Sequence, residues 1–218
     1  MSYVDAFLER EKDRINIVER KDGKRHYKTY STRYTFYYND PGGKFKSIFD
    51  QPVSRFSTKS RKEFDKERKI YSHQRLYESD INPIFRCLEE NYLDATSPDL
   101  HVCFFDIEVD FDPVKGFAPP EEAFMPITAI GVYMDWMDAM VCLAVPPKTL
   151  DWEQAQNIAK TMPEVILFKD EAEMLKVFLQ LIDDADILSG WNSEGYDIPY
   201  TINRIIKLLG KSETRKLC

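Results

Sequence analysis

From Arg14 to Val18 and from Tyr27 to Thr32 the chain has the extended pattern of strands, and the intervening Lys21-Asp22-Gly23-Lys24 carries the Asp-Gly pair that favours a tight hairpin. Tyr34 to Tyr38 continues as strand until Asn39-Asp40-Pro41-Gly42-Gly43 interrupts it with turn residues. Ser60 to Lys69 is so densely charged that it predicts a surface helix. After Asn82-Pro83, the residues Ile84, Phe85, Leu88 and Tyr92 predict one apolar helix face.

Thr96-Ser97-Pro98-Asp99 reads as a linker, and beyond it the pattern changes. Leu100–Val109, Ile127–Tyr133 and Met140–Val145 read as buried strands, the last two joined by Asp135-Trp136-Met137-Asp138. Residues 151–160 predict a helix. Lys169 to Asp184 predicts another, with Asp170 and Glu173 as a capping pattern ahead of Met174, Leu175, Phe178, Leu181 and Ile182. Asp186–Trp191 is a fourth strand, and Ile198–Leu209 an amphipathic helix ending at Gly210. The expectation is a small β-rich domain over residues 1–98 and an α/β domain with a mixed sheet over residues 99–218.

Charge sharpens that division. Residues 1–94 carry 20 Lys and Arg against 16 Asp and Glu, whereas residues 95–218 carry 10 against 21, so the net charge of −7 averages two unlike halves. Within the first half, residues 20–75 hold 16 basic and 6 acidic side chains among Tyr27, Tyr30, Tyr34, Phe36, Tyr37, Tyr38, Phe45, Phe49, Phe56, Phe64 and Tyr71. Basic residues interleaved with aromatics suit a phosphate backbone whose bases can stack, although alternating aromatics also build strand cores. The four cysteines, Cys87, Cys103, Cys142 and Cys218, have neither disulfide nor zinc spacing. No apolar run is long enough to span a membrane and the N-terminus lacks a signal-peptide layout, so a cytoplasmic protein is expected.

Candidate chemistry concentrates in Phe104-Phe105-Asp106-Ile107-Glu108-Val109. Residues two apart on a strand share a face, so Asp106 and Glu108 stand side by side while Phe105, Ile107 and Val109 pack behind them. Two like charges on one strand face are accounted for either by a divalent cation that neutralises both or by a face in water. Asp110 and Asp112 would join that face only if the strand continued, and Pro113 ends it.

The order β, β, β, α, β, α, with Asp-x-Glu on the first strand and an acidic residue after the fourth, is similar to the layout of ribonuclease H-like nucleases. Gly190-Trp191-Asn192-Ser193-Glu194-Gly195-Tyr196-Asp197-Ile198-Pro199-Tyr200, taken with Phe105-Asp106-Ile107-Glu108, resembles the first two exonuclease motifs of family B DNA polymerases, in detail those of T-even-type bacteriophages. Leu76 to Phe85 also resembles the segment ahead of the first motif. The likeness is strong from residue 76 onward and holds in outline before it.

What the resemblance implies is a 3′–5′ proofreading exonuclease that takes two Mg²⁺ ions, with Mn²⁺ as the alternative, and acts on single-stranded 3′ ends of DNA. Asp106, Glu108 and Asp197 would be the catalytic metal ligands, and Asn192 and Tyr196 would contact the 3′ end. Hard carboxylate oxygens suit such ions. It further implies that the basic, aromatic region lies near the template strand and binds RNA. The chain stops 21 residues after Asp197 and shows neither the third exonuclease motif nor polymerase motifs. The expectation is therefore part of a polymerase, weak or inactive alone, completed by the remainder of the enzyme or by a second polypeptide. A non-catalytic nucleic-acid-binding subunit and a stand-alone exoribonuclease with similar carboxylates are the rival readings.

Overall fold

The computed structural model describes residues 2–217; Met1 and Cys218, the last of the four cysteines, lie outside the described residues. The chain divides between Asp99 and Leu100 into two compact units.

The first unit holds two sheets. β1 (Tyr3–Glu9), β2 (Arg14–Lys21) and β3 (Lys24–Ser31) form an antiparallel sheet in that order. Asp22 and Gly23 both lie in the left-handed region, at φ 52° and 71°, as the two-residue hairpin turn requires. β4 (Tyr34–Asn39), β5 (Phe45–Lys46), β6 (Pro52–Thr58) and, after helix α1 (Arg61–Ile70), β7 (Leu76–Tyr77) form the second sheet in the order β5-β6-β4-β7. Ser60 caps α1, whose buried residue is Phe64, in line with the predicted surface helix.

Asn82 caps α2 (Pro83–Tyr92), with Pro83 at the first helical position, where its missing N–H does no harm. Here one expectation fails. Phe85 is 65% exposed, and the buried face carries Arg86, Cys87 and Tyr92 with Ile84 and Leu88 partly buried against the core. The buried face includes Cys87, and Phe85, two residues before it, lies about 160° round the helix from it.

The second unit is a five-stranded mixed sheet. Its elements are β8 (Val102–Val109), β9 (Ile127–Met134), β10 (Ala139–Ala144), α3 (Trp152–Ala159), β11 (Val165–Leu167), α4 (Glu171–Leu181), β12 (Ile187–Ser189) and α5 (Asp197–Leu208). The strand order is β11-β10-β9-β8-β12, antiparallel between β8, β9 and β10 and parallel at both ends. Asp151 with Gln154 closes a capping box on α3, and Asp170 accepts from the Glu173 N–H at 2.9 Å to start α4. One face of the sheet presents Cys103, Phe105, Ile107, Ile130, Val132 and Leu143 to Met174, Leu175, Phe178 and Tyr200. β8 is thus buried on one face only, with Phe105 and Ile107 inside as the alternation of its sequence predicts. Phe104, Asp106 and Glu108 are exposed on the other side. β11, three residues long and parallel to β10, is an edge strand with no counterpart among the predicted elements. Cys87 and Cys103 are buried free thiols and Cys142 is half-buried.

Candidate active site

The register of the sheet explains why the carboxylates on β8 stand open. Asp106 lies opposite Gly131 on β9, and Glu108 opposite Ala129. Side chains directly across an antiparallel pair are near neighbours, so a hydrogen atom and a methyl group leave both carboxylates uncovered on that side. On the other side, pairing with β12 ends at Ser189 opposite Phe104. The chain then turns across the strand at Gly190, where a Cβ would overlap the Phe105 carbonyl oxygen. Only glycine permits that approach. β8 itself ends at Val109, and Asp112 folds back to accept from the Val114 and Lys115 N–H groups at 2.8 and 2.9 Å, so it is not part of the carboxylate face.

Because β12 stops short, the edge of β8 beyond Phe104 lacks a neighbouring strand, and Asp197 fills the gap. Its Oδ1 accepts the Ile107 N–H at 3.1 Å, between the two strand carboxylates. Asp197 is 4% exposed. Burial raises its carboxyl above the ordinary range, the Ile107 N–H and its own amide pull it down, and the charge of Asp106 pushes it up again. A buried carboxylate with backbone N–H donors and a like charge beside it is an arrangement that a hard cation would relieve. Among the described residues, no three His, Cys, Asp or Glu side chains gather as a group that could hold a metal ion. The structure therefore brings Asp197 to Asp106, with Glu108 on the same strand face, without a closed three-carboxylate cage.

Asn192 and Tyr196 occupy the turn that leads into α5. Asn192 is exposed, with φ 54°, and its carbonyl accepts the Gly195 and Tyr196 N–H groups at 2.9 and 3.0 Å. Tyr196 is half-buried. Its ring lies 5.4 Å from that of Tyr200, and its hydroxyl donates to the Ala118 carbonyl at 3.4 Å. It thus contributes to the core while its edge remains open. Trp191, beside Asn192, is 93% exposed. The sequence places it inside the Gly190–Tyr200 motif but gives it no role, although an indole so open is unusual enough to mark.

α5 holds the neighbouring loop by its other side chains. Tyr200 donates to the Met125 carbonyl at 2.8 Å and Asn203 to Pro120 at 2.8 Å, while Lys207 reaches the Glu122 and Ala123 carbonyls. Burial pushes the Tyr200 hydroxyl up to about 12, so it remains a donor.

In the first unit, several aromatics counted as candidate stacking residues are core instead. Tyr34, Phe36 and Phe64 are buried together, with Tyr38, Phe56 and Tyr71 packed around them. Tyr27, Phe45 and Phe49 are exposed, and the Arg75 guanidinium lies 4.7 Å over Phe49 while Arg55 lies 5.2 Å over Phe45. Among the described residues, no helix is long and apolar enough to cross a membrane.

Residues 51–218 match the family model described as DNA polymerase family B, exonuclease domain. Among curated proteins, the chain is 32% identical over 114 residues to "DNA polymerase 1" of Sulfurisphaera ohwakuensis, a stretch covering 51% of this chain and 12% of that protein. It is 31% identical over 137 residues to the "DNA-directed DNA polymerase" of Escherichia phage RB69, covering 54% of this chain and 15% of that protein. The chain thus spans only a small part of the length of the relatives it matches.

Proposed function

The chain belongs to the DNA polymerase family B exonuclease domain family, whose fold is ribonuclease H-like, and from that premise we propose that it contributes the Asp106, Glu108 and Asp197 carboxylates of a 3′–5′ proofreading exonuclease. The observation that carries this reading is the hydrogen bond that holds the buried Asp197 carboxylate on the Ile107 N–H, the strand amide between Asp106 and Glu108. Exonuclease domains of this family depend in general on divalent metals, and the all-oxygen donor set here fits Mg²⁺ or Mn²⁺. Asp106, Glu108 and Asp197 would hold the ions, which supply Lewis-acid activation of water and stabilisation of a departing oxygen in a two-metal site.

This chain's own residues do the remaining work. Gly131 and Ala129 keep the carboxylate face open to a strand of single-stranded DNA. Asn192 and Tyr196, on the α5 side, meet its 3′ end, and the exposed Trp191 offers a plate on which a base can stack. The polymerase reaction belongs to a larger assembly, either the remainder of the same polypeptide or a partner chain. Similarity to a phage enzyme supports a host-cell cytoplasm as the location of that assembly.

The test is release of 3′ mononucleotides from single-stranded DNA by the purified protein, alone and with the rest of the polymerase supplied. Mg²⁺-dependent release that disappears in Asp106→Ala supports the reading. Release that persists at full rate in Asp106→Ala removes it.

For the first unit the proposal is nucleic-acid binding, to template DNA or to RNA, through exposed Tyr27, Phe45 and Phe49 with Arg55 and Arg75. Salt-sensitive retention of single-stranded RNA or DNA on filters should weaken in Phe49→Ala and Arg75→Ala; binding unchanged in both variants refutes this surface.

A further inference from the structure

Asp197, Tyr200, Thr201, Arg204 and Ile205 form the buried stripe of α5, so Arg204 lies two turns along the same face as Asp197. All three nitrogens of its guanidinium donate. Nε donates to Glu171 Oε1 at 2.7 Å, Nη2 to Glu171 Oε2, and Nη1 to the Ala123 carbonyl at 3.0 Å. Glu171, the first residue of α4, also accepts the N–H of Ile127, the first residue of β9, at 2.9 Å. Ala123 is fully buried with φ 40°, a left-handed conformation that a non-glycine residue keeps only when its surroundings hold it.

We propose that Arg204 and Glu171 are a positioning pair for the carboxylate site, an inference that rests on the exonuclease reading above for its functional meaning. The pair refers both sets of carboxylates to one point. Through α5 it sets the rotation and height of the helix whose first residue is Asp197. Through Ile127, which lies opposite Val109, it anchors the end of the β8–β9 ladder next to Glu108. A bidentate guanidinium–carboxylate contact fixes orientation as well as distance, which a packed apolar pair of the same size would not. Neither residue touches the reacting groups; both act through Asp197 and Glu108.

The test uses hydrogen exchange at the Ile107 amide in the full chain, because that N–H is held by Asp197 and not by a neighbouring strand. The double variant Glu171→Gln with Arg204→Met removes the charged fork while keeping an acceptor for Ile127 and avoiding a lone buried charge. It is expected to exchange about tenfold faster at Ile107 with little change elsewhere in the β8–β9 ladder. Glu171→Gln alone keeps an acceptor for Ile127 but turns a donor toward Arg204 Nη2 and leaves the buried guanidinium charge unpaired, so it should loosen Ile107 as well and destabilise the chain more than the double variant does. Phe178→Leu, a packing change in α4, should accelerate exchange evenly with its loss of stability. If the double variant changes Ile107 only in the proportion that Phe178→Leu does, the pair is structural and the proposal falls.

Mn²⁺ binding followed by electron paramagnetic resonance separates the two readings. Affinity about tenfold weaker in the double variant supports positioning of the ligands. Failure of the parent chain to bind Mn²⁺, with Ile107 still selectively loosened, removes the metal reading and retains the positioning of Asp197.

Discussion

Glu19 in the first unit and Asp197 in the second are both buried carboxylates, and the two are treated in opposite ways. Glu19 in the first unit is 7% exposed; burial pulls its carboxyl up, yet Lys28 at 2.8 Å and the Tyr92 hydroxyl at 2.6 Å outweigh that and leave it lowered. Tyr92 in turn receives support from Tyr30 at 3.1 Å and is itself held strongly protonated, first by burial and then by these hydrogen bonds. Asp197 is buried more deeply, has no cationic partner, and is raised. The first carboxylate is satisfied by the fold and joins α2 to its sheet. The second is left with unmet demand beside another carboxylate, the condition in which a binding site differs from a structural network.

The largest expected difference between them is in chemistry. Asp197→Asn keeps an oxygen to accept the Ile107 N–H but loses the charge, and nuclease activity should fall on the order of 1000-fold, about 4 kcal/mol in transition-state stabilisation. Glu19→Gln should leave the hydrolytic rate constant of the same assembly unchanged. Single-turnover hydrolysis of a 3′-labelled strand measures both, and a matched loss in the two variants would break the contrast.

Stability should respond the other way round. Glu19→Gln weakens charge-assisted hydrogen bonds to Lys28 and Tyr92 and should destabilise the chain by about 1–2 kcal/mol in urea unfolding at pH 7. Glu19's folded pKa lies below its ordinary 4.5, so its contribution is complete above that value and disappears as pH falls through the folded pKa. Parent and variant should converge in acid. Asp197→Asn should stabilise by about 1 kcal/mol at pH 7, since it removes an ionised carboxylate from a poorly compensated site. The folded pKa of Asp197 lies above its ordinary 3.8, so ionisation penalises the fold. The penalty is absent below 3.8 and grows until pH has passed the raised value. The gain from Asp197→Asn should therefore appear as pH rises through that window, and a gain that shrinks with rising pH would reverse the assignment.

Much of this was legible before any coordinates, for reasons that differ by element. The Asp22-Gly23 hairpin, the helices after Ser60 and Asn82, the Asp170 cap and the β8–β9–β10 meander follow from local turn chemistry and period-2 or period-3.6 patterning, which need no distant partner. β1, β6 and β11 escaped because their patterns are weak and their existence depends on the strand beside them; Val165–Leu167 is three residues that become a strand only against β10. The alternation Phe105, Ile107 inside and Asp106, Glu108 outside could be read from the sequence. The Ile107–Asp197 hydrogen bond and the Arg204–Glu171 fork could not, since they join residues 90 and 33 positions apart through the fold alone. The same limit applies to Phe36, Phe64 and Tyr27. All three lie in the basic, aromatic stretch of residues 20–75, but two are core and one is surface.

Access supplies the last and smallest contrast. Glu19 lies beneath Tyr92, whereas Asp106 faces the bare Cα of Gly131, where an added Cβ would meet nothing within 4 Å. Gly131→Val therefore adds a strand-favouring side chain whose Cβ has open space, and should alter stability by no more than about 0.5 kcal/mol in either direction. The same isopropyl group stands across from Asp106 on the open face and narrows the route of an incoming strand. Hydrolysis should fall severalfold, an effect under about 1 kcal/mol that appears in KM for single-stranded DNA with kcat largely retained. If instead KM is unchanged, DNA does not approach over Gly131, and the openness of the Asp106 face belongs to the sheet's packing and not to its substrate.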